Sequence, residues 1–220
     1  MNSPTIRYFL TSDNYRIGFS VAGAGEPLVT VTLPYFNDMA VVAPPLSTWF
    51  EGLRSHFQLV EYDGRGQGSS TRGLPQRTSI RDFVRDIEEL IDHLNLSRVA
   101  LMAYGWSGHI AVHYAAKHPE RVSALILFST AINNAAWPPA LLLTLAASNW
   151  DAFLLSMAGV VGTIQLREIV DAFRRSTSQA DYLVRARILT SSTLEPVLPR
   201  LRTPTLVLCP RQFVLPPRNQ

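Results

Sequence analysis

The stretch from Ser97 to Val122, SRVALMAYGWSGHIAVHYAAKHPERV, constrains the fold of this 220-residue chain more than any other. Val99, Leu101 and Met102 lie in a short apolar run of strand length. Helical spacing then takes over through Ile110, Ala111, Tyr114 and Ala115. His118-Pro119 ends that helix, because a proline ring crowds the preceding residue out of helical angles. Between strand and helix stand Ala103, Gly105, Ser107 and Gly108. A strand that reverses abruptly into a helix needs such residues, since larger side chains would collide there.

The flanking segments continue the alternation of strand and helix. Ile6–Thr11 and Tyr15–Ala22 predict a hairpin about Ser12-Asp13-Asn14, and Leu28–Thr32 predicts a buried strand. Leu46, Trp49, Phe50 and Leu53 recur at helical spacing before a strand over Phe57–Tyr62. In Asp63-Gly64-Arg65-Gly66-Gln67-Gly68-Ser69 the glycines predict positive φ angles and a structural turn. Their spacing is wrong for a phosphate-binding loop. Ser79 caps the next helix, with Asp82 in its first turn. Phe83, Val84, Ile87, Leu90, Ile91 and Leu94 form its apolar stripe. Asp82, Asp86, Glu88, Glu89 and Asp92 are expected to form a solvated face without metal-ligand spacing. A strand over Ala124–Phe128 precedes an insertion, Asn133–Pro199, that should be helical with breaks at Pro138-Pro139, Gly159 and Gly162. Pro204–Cys209 predicts the last strand.

On these residues the chain resembles the α/β-hydrolase superfamily, in which G-x-S-x-G lifts a nucleophilic serine above the sheet at a strand-to-helix turn. The likeness extends over Ile6–Leu208 and is gapless around the turn. The first glycine of the motif therefore falls on Ala103, the serine on Gly105 and the second glycine on Ser107. The resemblance implies an α/β-hydrolase fold: a mostly parallel sheet flanked by helices, with an inserted helical cap, lacking the last strand and helix. It divides the chain into a first core part over 1–132, a cap insertion over 133–200, a core strand over 201–209 and an irregular tail over 210–220. The final strand, at the sheet margin, should leave an edge open to self-association. Leu141, Leu142, Leu145, Trp150, Phe153, Leu154 and Met157 either line a pocket under the cap or form the cap's own core. Ser47–Phe50, Tyr62-Asp63-x-Arg65-Gly66-x-Gly68-x-Ser70, the His118–Val122 turn and Leu201-Arg202-x-Pro204-Thr205-Leu206-Val207-Leu208 are most similar to hydrolase-like domains fused to bacterial regulators or nucleotide cyclases.

The resemblance also shows what is missing. A serine hydrolase needs a nucleophile, a base, an acid that orients the base, and donors for the oxyanion. Gly105 has no side chain to attack with. Thr32-Leu33 stands in place of a His-Gly pair, and the next residue, Pro34, has no N–H to donate. No Asp or Glu follows the last strand from Pro210 onward, where Gln212 lies in the turn expected to carry the acid, and the chain stops before the expected histidine. Three functions remain open: a small-molecule-binding, sensing or scaffold domain; a weak hydrolase of small esters or amides; and a truncated inactive relic. For the hydrolase, Gly105-Trp106-Ser107 still spells G-x-S, which makes Ser107 the fallback nucleophile and His109 its base. His109 and His113 share a helix face at metal-ligand spacing. With no Glu between them and no evident third ligand, helix packing is the expected role, and no metal or cofactor is expected. His118 belongs to a structural turn. Leu33, Tyr35, Tyr104, Gly105 and Trp106 are the expected walls of a site for a neutral, apolar or partly aromatic ligand.

Composition narrows the partners. The formal charge is +3, and the arginines are scattered rather than gathered in a stripe, so direct nucleic-acid binding is not expected. Lys117 is the only lysine. The lone Cys209 is expected to serve as a small core residue in a reducing compartment. The N-terminus lacks the basic and apolar regions of a signal peptide, and no apolar run reaches membrane-spanning length, so the expected location is the cytoplasm.

Overall fold

The hairpin expected at the N-terminus pairs β1 (Arg7–Leu10) with β2 (Arg16–Ala22), and Asn14 takes a positive φ of 67° at its turn. The structure, a computed structural model, describes residues 5–31, 39, 44–133, 140–161 and 166–209. Five further strands follow: β3 (Pro27–Thr30), β4 (Gln58–Tyr62), β5 (Val99–Tyr104), β6 (Val122–Phe128) and β7 (Thr205–Leu208). They join the hairpin in one sheet of order β1-β2-β4-β3-β5-β6-β7. β1 and β2 run antiparallel to their neighbours, and the pairings from β4 to β7 are parallel. Parallel strands need crossovers, and helices supply them. α1 (Pro44–Arg54) leads into β4, α2 (Ile80–His93) into β5, and α3 (Ser107–Lys117) into β6.

Burial explains the layers. Ile87, Leu90 and Ile91 of α2 and Ala111, Tyr114 and Ala115 of α3 pack on Val29, Val60 and Leu101 on one face of the sheet. On the other face Phe50 of α1 meets Leu28, Leu59 and Met102. Central strands are thus buried on both sides, which is why they read as unbroken apolar runs. Ser79 and Asp82 start α2 as expected, with the Ser79 N–H donating to Asp82 Oδ2 at 2.8 Å.

The acidic face of α2 departs from expectation at Asp86, which is fully buried. Its carboxylate accepts from Arg65 Nη2 at 2.7 Å and from Arg65 Nε at 3.0 Å. Arg65 is itself only 2% exposed, pairs with Asp13 at 2.8 Å and stacks on Tyr15. Spacing along α2 could not reveal this, because the partner comes from the glycine turn after β4. The other acids are paired nearer the surface: Asp82 with Arg85, Glu88 with Lys117, Asp92 with Arg121, and Glu89 with the Ser12 hydroxyl.

Between β6 and β7 lie four cap helices, α4 (Ala140–Ser148), α5 (Trp150–Val161), α6 (Leu166–Ser176) and α7 (Gln179–Thr190). Phe153, Leu154, Met157, Tyr182 and Ala186 form the cap's own core, with Leu142, Leu145 and Trp150 against it. Leu141 is 78% exposed and lies outside that core. Gly159 does not break the chain but lies inside α5. A helical glycine costs only about 1 kcal/mol, less than burial of Phe153 and Leu154 on the same helix returns. The actual break is at Asn149, whose Oδ1 accepts from the Ala152 N–H at 3.0 Å. Pro138-Pro139 and Gly162 lie outside the described residues.

β7 is a margin of the sheet among the described residues, and all four of its residues are exposed. Cys209 at its end is exposed too, not the core residue expected. β-branched apolar sequence looks the same on a covered and an uncovered strand; only neighbours distinguish them. No helix among the described residues is long and apolar enough to cross a membrane.

The Arg65–Asp86 pair yields a stability prediction. Asp86→Ala leaves a buried guanidinium with only Asp13, and should cost about 3–5 kcal/mol in urea unfolding. Arg65→Met/Asp86→Leu removes both charges and should recover most of that loss; a double variant as unstable as Asp86→Ala would contradict this account.

Candidate functional site

The site is built on the end of β5. Tyr104 closes the strand, and Gly105 turns the chain with φ +52°, its N–H donating to the Phe128 carbonyl of β6 at 2.8 Å. That backbone angle is the left-handed one that L side chains resist. A Cβ built on Gly105 meets no atom of the described residues within 4 Å. Gly108 is different: a Cβ there would overlap the Thr130 side chain. Glycine at 108 lets α3 lie against the loop after β6.

The fallback nucleophile has another task. Ser107 is fully buried in the first turn of α3. Its hydroxyl donates to the Tyr104 carbonyl at 2.9 Å and accepts from the Tyr104 N–H at 2.9 Å. It bridges the last strand residue to the first helical turn. Trp106 is 3% exposed. The Tyr104 ring turns to the α1 side, edge-on to Trp49 at 5.3 Å and beside Phe128 at 5.6 Å, where burial pushes its phenol pKa up.

His109 sits one turn further on, fully buried. Its Nε2 is 2.9 Å from the Ala131 carbonyl and its Nδ1 is 2.7 Å from the Ser192 hydroxyl. A carbonyl only accepts, so Nε2 carries the proton and Nδ1 accepts from Ser192. Burial lowers the His109 pKa, the Ala131 carbonyl opposes that shift, and the neighbouring His113 adds to it. This contact also closes the base of the cap. The chain leaves the core at Ala131–Asn133 and returns at Ser192–Leu194, where the Leu194 N–H donates to the Ile132 carbonyl at 2.9 Å. Nothing in the sequence around Ser192 marked it; only the return of the chain from the cap brings it to His109.

The remaining histidines serve separate neighbours. His113 faces Arg200, whose charge adds to burial in lowering its pKa. His118 contacts Glu88 at 3.2 Å and the Tyr114 ring at 5.0 Å. Among the described residues no group of three or more His, Cys, Asp or Glu could hold a metal ion. Beside the turn, Ser129 adopts a positive φ of 54°, and the Ser129 and Thr130 hydroxyls are buried without a hydrogen-bond partner among the described residues. Leu33, Pro34, Tyr35 and Gln212 lie outside the described residues.

The cap is pinned over this end of the sheet by the glycine turn. Gly66 and Gly68 have φ values of +77° and +45°, as the motif predicts. The Gly66 carbonyl accepts from Arg185 Nη1 at 2.7 Å and from Thr177 Oγ1 at 3.0 Å. Asp181 accepts from the Leu74 N–H at 2.6 Å, and the Gly68 N–H donates to the Ser176 carbonyl at 2.7 Å. Arg185 is 2% exposed, and burial lowers its pKa to about 9 against the opposing charge of Asp181.

Comparison with known proteins agrees with this architecture. A Yersinia enterocolitica protein provisionally named a carbamate hydrolase is 25% identical over 184 residues, 75% of this chain and 64% of its own length. The cis-3-alkyl-4-alkyloxetan-2-one decarboxylase of Shewanella oneidensis is 29% identical over 134 residues, covering 58% of this chain and 39% of that protein. The chain spans 31% to 64% of the first curated relatives it matches. The crystal structure of an enol-lactonase from Burkholderia xenovorans superposes with a TM-score of 0.74 at 21% identity, over 91% of this chain and 80% of the lactonase. The family model for the alpha/beta hydrolase fold matches residues 42–158, more than half of the chain. With its strand order, its strand-to-helix turn and its inserted cap, this chain belongs to the α/β-hydrolase-fold family.

Proposed function

We propose that this chain binds a small neutral molecule in the space over Gly105, without a serine at that position to attack it. The lack of contact, among the described residues, where a Gly105 side chain would stand carries this reading. Gly105 turns the chain with a positive φ, and a glycine there carries no reactive side chain. The Ser129 and Thr130 hydroxyls beside the turn, without a partner among the described residues, suit a ligand with a carbonyl or hydroxyl group, and buried Trp106 suits a partly aromatic body. Ester, lactone and carbamate are the ligand classes suggested by the relatives' names.

A second reading, hydrolysis, is favoured by those names and by one contact. The Ser192 hydroxyl donates to a buried neutral imidazole, the relation a general base needs to its nucleophile. In that reading Ser192, rather than Ser107, carries the reaction, because both hydrogen-bonding roles of Ser107 are taken up by the Tyr104 backbone.

One assay separates these readings: p-nitrophenyl ester release by wild type, Gly105→Ser, Ser107→Ala and Ser192→Ala. The binding reading expects background turnover in all four. Gly105→Ser has room but incurs about 1–2 kcal/mol of left-handed strain, and the nearest histidine in sequence has both ring nitrogens engaged. Turnover in wild type that is lost in Ser192→Ala establishes hydrolysis at Ser192; loss only in Ser107→Ala assigns it to Ser107. Turnover gained only in Gly105→Ser means a base stands in reach of Gly105. For binding itself, Trp106→Ala should weaken every hit from a panel of small esters and lactones, and unchanged affinities would remove Trp106 from the site.

Self-association belongs to the same proposal. Val207, 63% exposed on β7, offers an edge for a second copy. Val207→Lys should lower the weight-average mass seen by light scattering at high concentration, and a wild type that stays monomeric there would exclude edge pairing.

A further inference from the structure

On the helical side of the sheet, away from the Gly105 turn, a cavity of about 440 Å³ opens between α2, α3 and the short 3-10 turn Leu198–Arg200. Its α3 wall is His113, Ala116 and Lys117. His113 lies six residues beyond Ser107, about 9 Å along the helix axis at the α-helical rise. Ile80, Val84, Ala116 and Val197 make an apolar floor. Around it stand the cations Arg81, Arg85, Lys117 and Arg200, against the single carboxylate of Glu88.

These charges are not equivalent. Arg85 is paired with Asp13 at 2.7 Å and Asp82 at 3.3 Å, and Lys117 with Glu88 at 2.7 Å. Arg81 and Arg200 have no carboxylate partner among the described residues. Arg200 stands close enough to half-buried His113 to disfavour its protonation. Two guanidiniums without a carboxylate partner among the described residues, one of them (Arg200) 3.4 Å from the Pro196 carbonyl, thus share one recess with a histidine over an apolar floor. Repulsion among like charges is relieved by an anion placed between them, and guanidinium binds carboxylate through two parallel hydrogen bonds.

We propose that this recess is a second binding site, separate from the Gly105 turn, for a small carboxylate with an apolar body. The head group lies between Arg81 and Arg200, and the hydrocarbon covers Val84 and Val197. The volume is within the usual range for small-molecule pockets. This site is independent of whether the Gly105 turn binds or hydrolyses anything.

The bound anion sits beside His113, so it should raise the imidazole pKa. By linkage, affinity should rise as pH falls through the His113 titration. Arg81, Arg85 and Glu88 line the recess with His113 from α2, Lys117 from its own helix and Arg200 from the 3-10 turn, and His109 neighbours His113 one turn back on α3. Of these, Glu88 is the group that opposes an anion.

The test is an NMR titration of the full 220-residue chain with sodium octanoate, following the His113 imidazole, assigned with His113→Gln. Saturable binding with an upward His113 pKa shift is expected. Arg81→Ser and Arg200→Ser should each weaken binding about tenfold, as loss of a charge-assisted hydrogen bond predicts. Glu88→Gln should strengthen it, an effect no merely structural role for Glu88 would give. Octan-1-ol binding as tightly as octanoate would mean that the cations are not read. Inorganic phosphate competing on equal terms would mean that the apolar floor is not. Either result overturns the proposal, as does octanoate binding that leaves His113 unmoved or is indifferent to both arginine substitutions.

Discussion

Arg65 holds together parts of the chain that no regular secondary structure connects. Its guanidinium reaches Asp86 in the middle of α2 and Asp13 in the turn of the first hairpin, while its plane lies on the Tyr15 ring. Arg85 closes the set on Asp13. Burial would raise the Asp13 carboxyl, but hydrogen bonds from Arg65 and Thr11 and the two arginine charges hold it well below the usual range. For Asp86, burial outweighs the hydrogen bonds and charge of Arg65 and raises the pKa to about 6. A buried charge network of this kind adds little to net stability relative to an apolar substitute, yet losing one member is costly. Its effect is geometric: the antiparallel hairpin, the glycine turn and α2 have one relative arrangement.

That arrangement passes upward into the cap. The turn that carries Arg65 also presents the Gly66 carbonyl, the Gly68 N–H and the Leu74 N–H, and the end of α6 and α7 bind there through Ser176, Thr177, Asp181 and Arg185. Buried Arg185 donates to a backbone carbonyl and to Thr177. The cap has an apolar core of its own, but Val184 and Ile188 of α7 are buried in the main sheet core. Apolar and polar contacts together fix where it sits. At the opposite margin of the cap, His109 ties the outgoing chain at Ala131 to the returning chain at Ser192.

The Gly105 turn separates geometry from chemistry. Its positive φ, its hydrogen bond to β6 and the close approach of Gly108 to Thr130 give a sharp strand-to-helix turn with a glycine at its tip. Ser107 contributes by joining Tyr104 to α3 through its hydroxyl. Removing the catalytic serine alone costs a well-studied serine protease about a millionfold in rate. Among the described residues, Ser192 and His109 are a serine and a histidine in hydrogen-bonding contact.

Local physics made much of this fold legible in the residues. Apolar runs, glycine turns, the Ser79 cap and the His118-Pro119 stop act over a few positions, so they mark β5, α2 and α3 directly in the sequence. Contacts between residues far apart in the chain were not legible. Asp86 read as one of several solvent-facing acids, Gly159 as a break, and Cys209 as core, because burial at each depends on what tertiary structure lays against it. His109 was visible as a candidate base, but its proton and its partner were set by Ala131 and Ser192, brought together only when the cap folds back. The sequence by itself determined the turn and the absence of a side chain at its tip. Tertiary structure decided which buried groups pair, since short-range preferences repeat along the chain while a charge in a low-dielectric interior is stable only where a partner arrives.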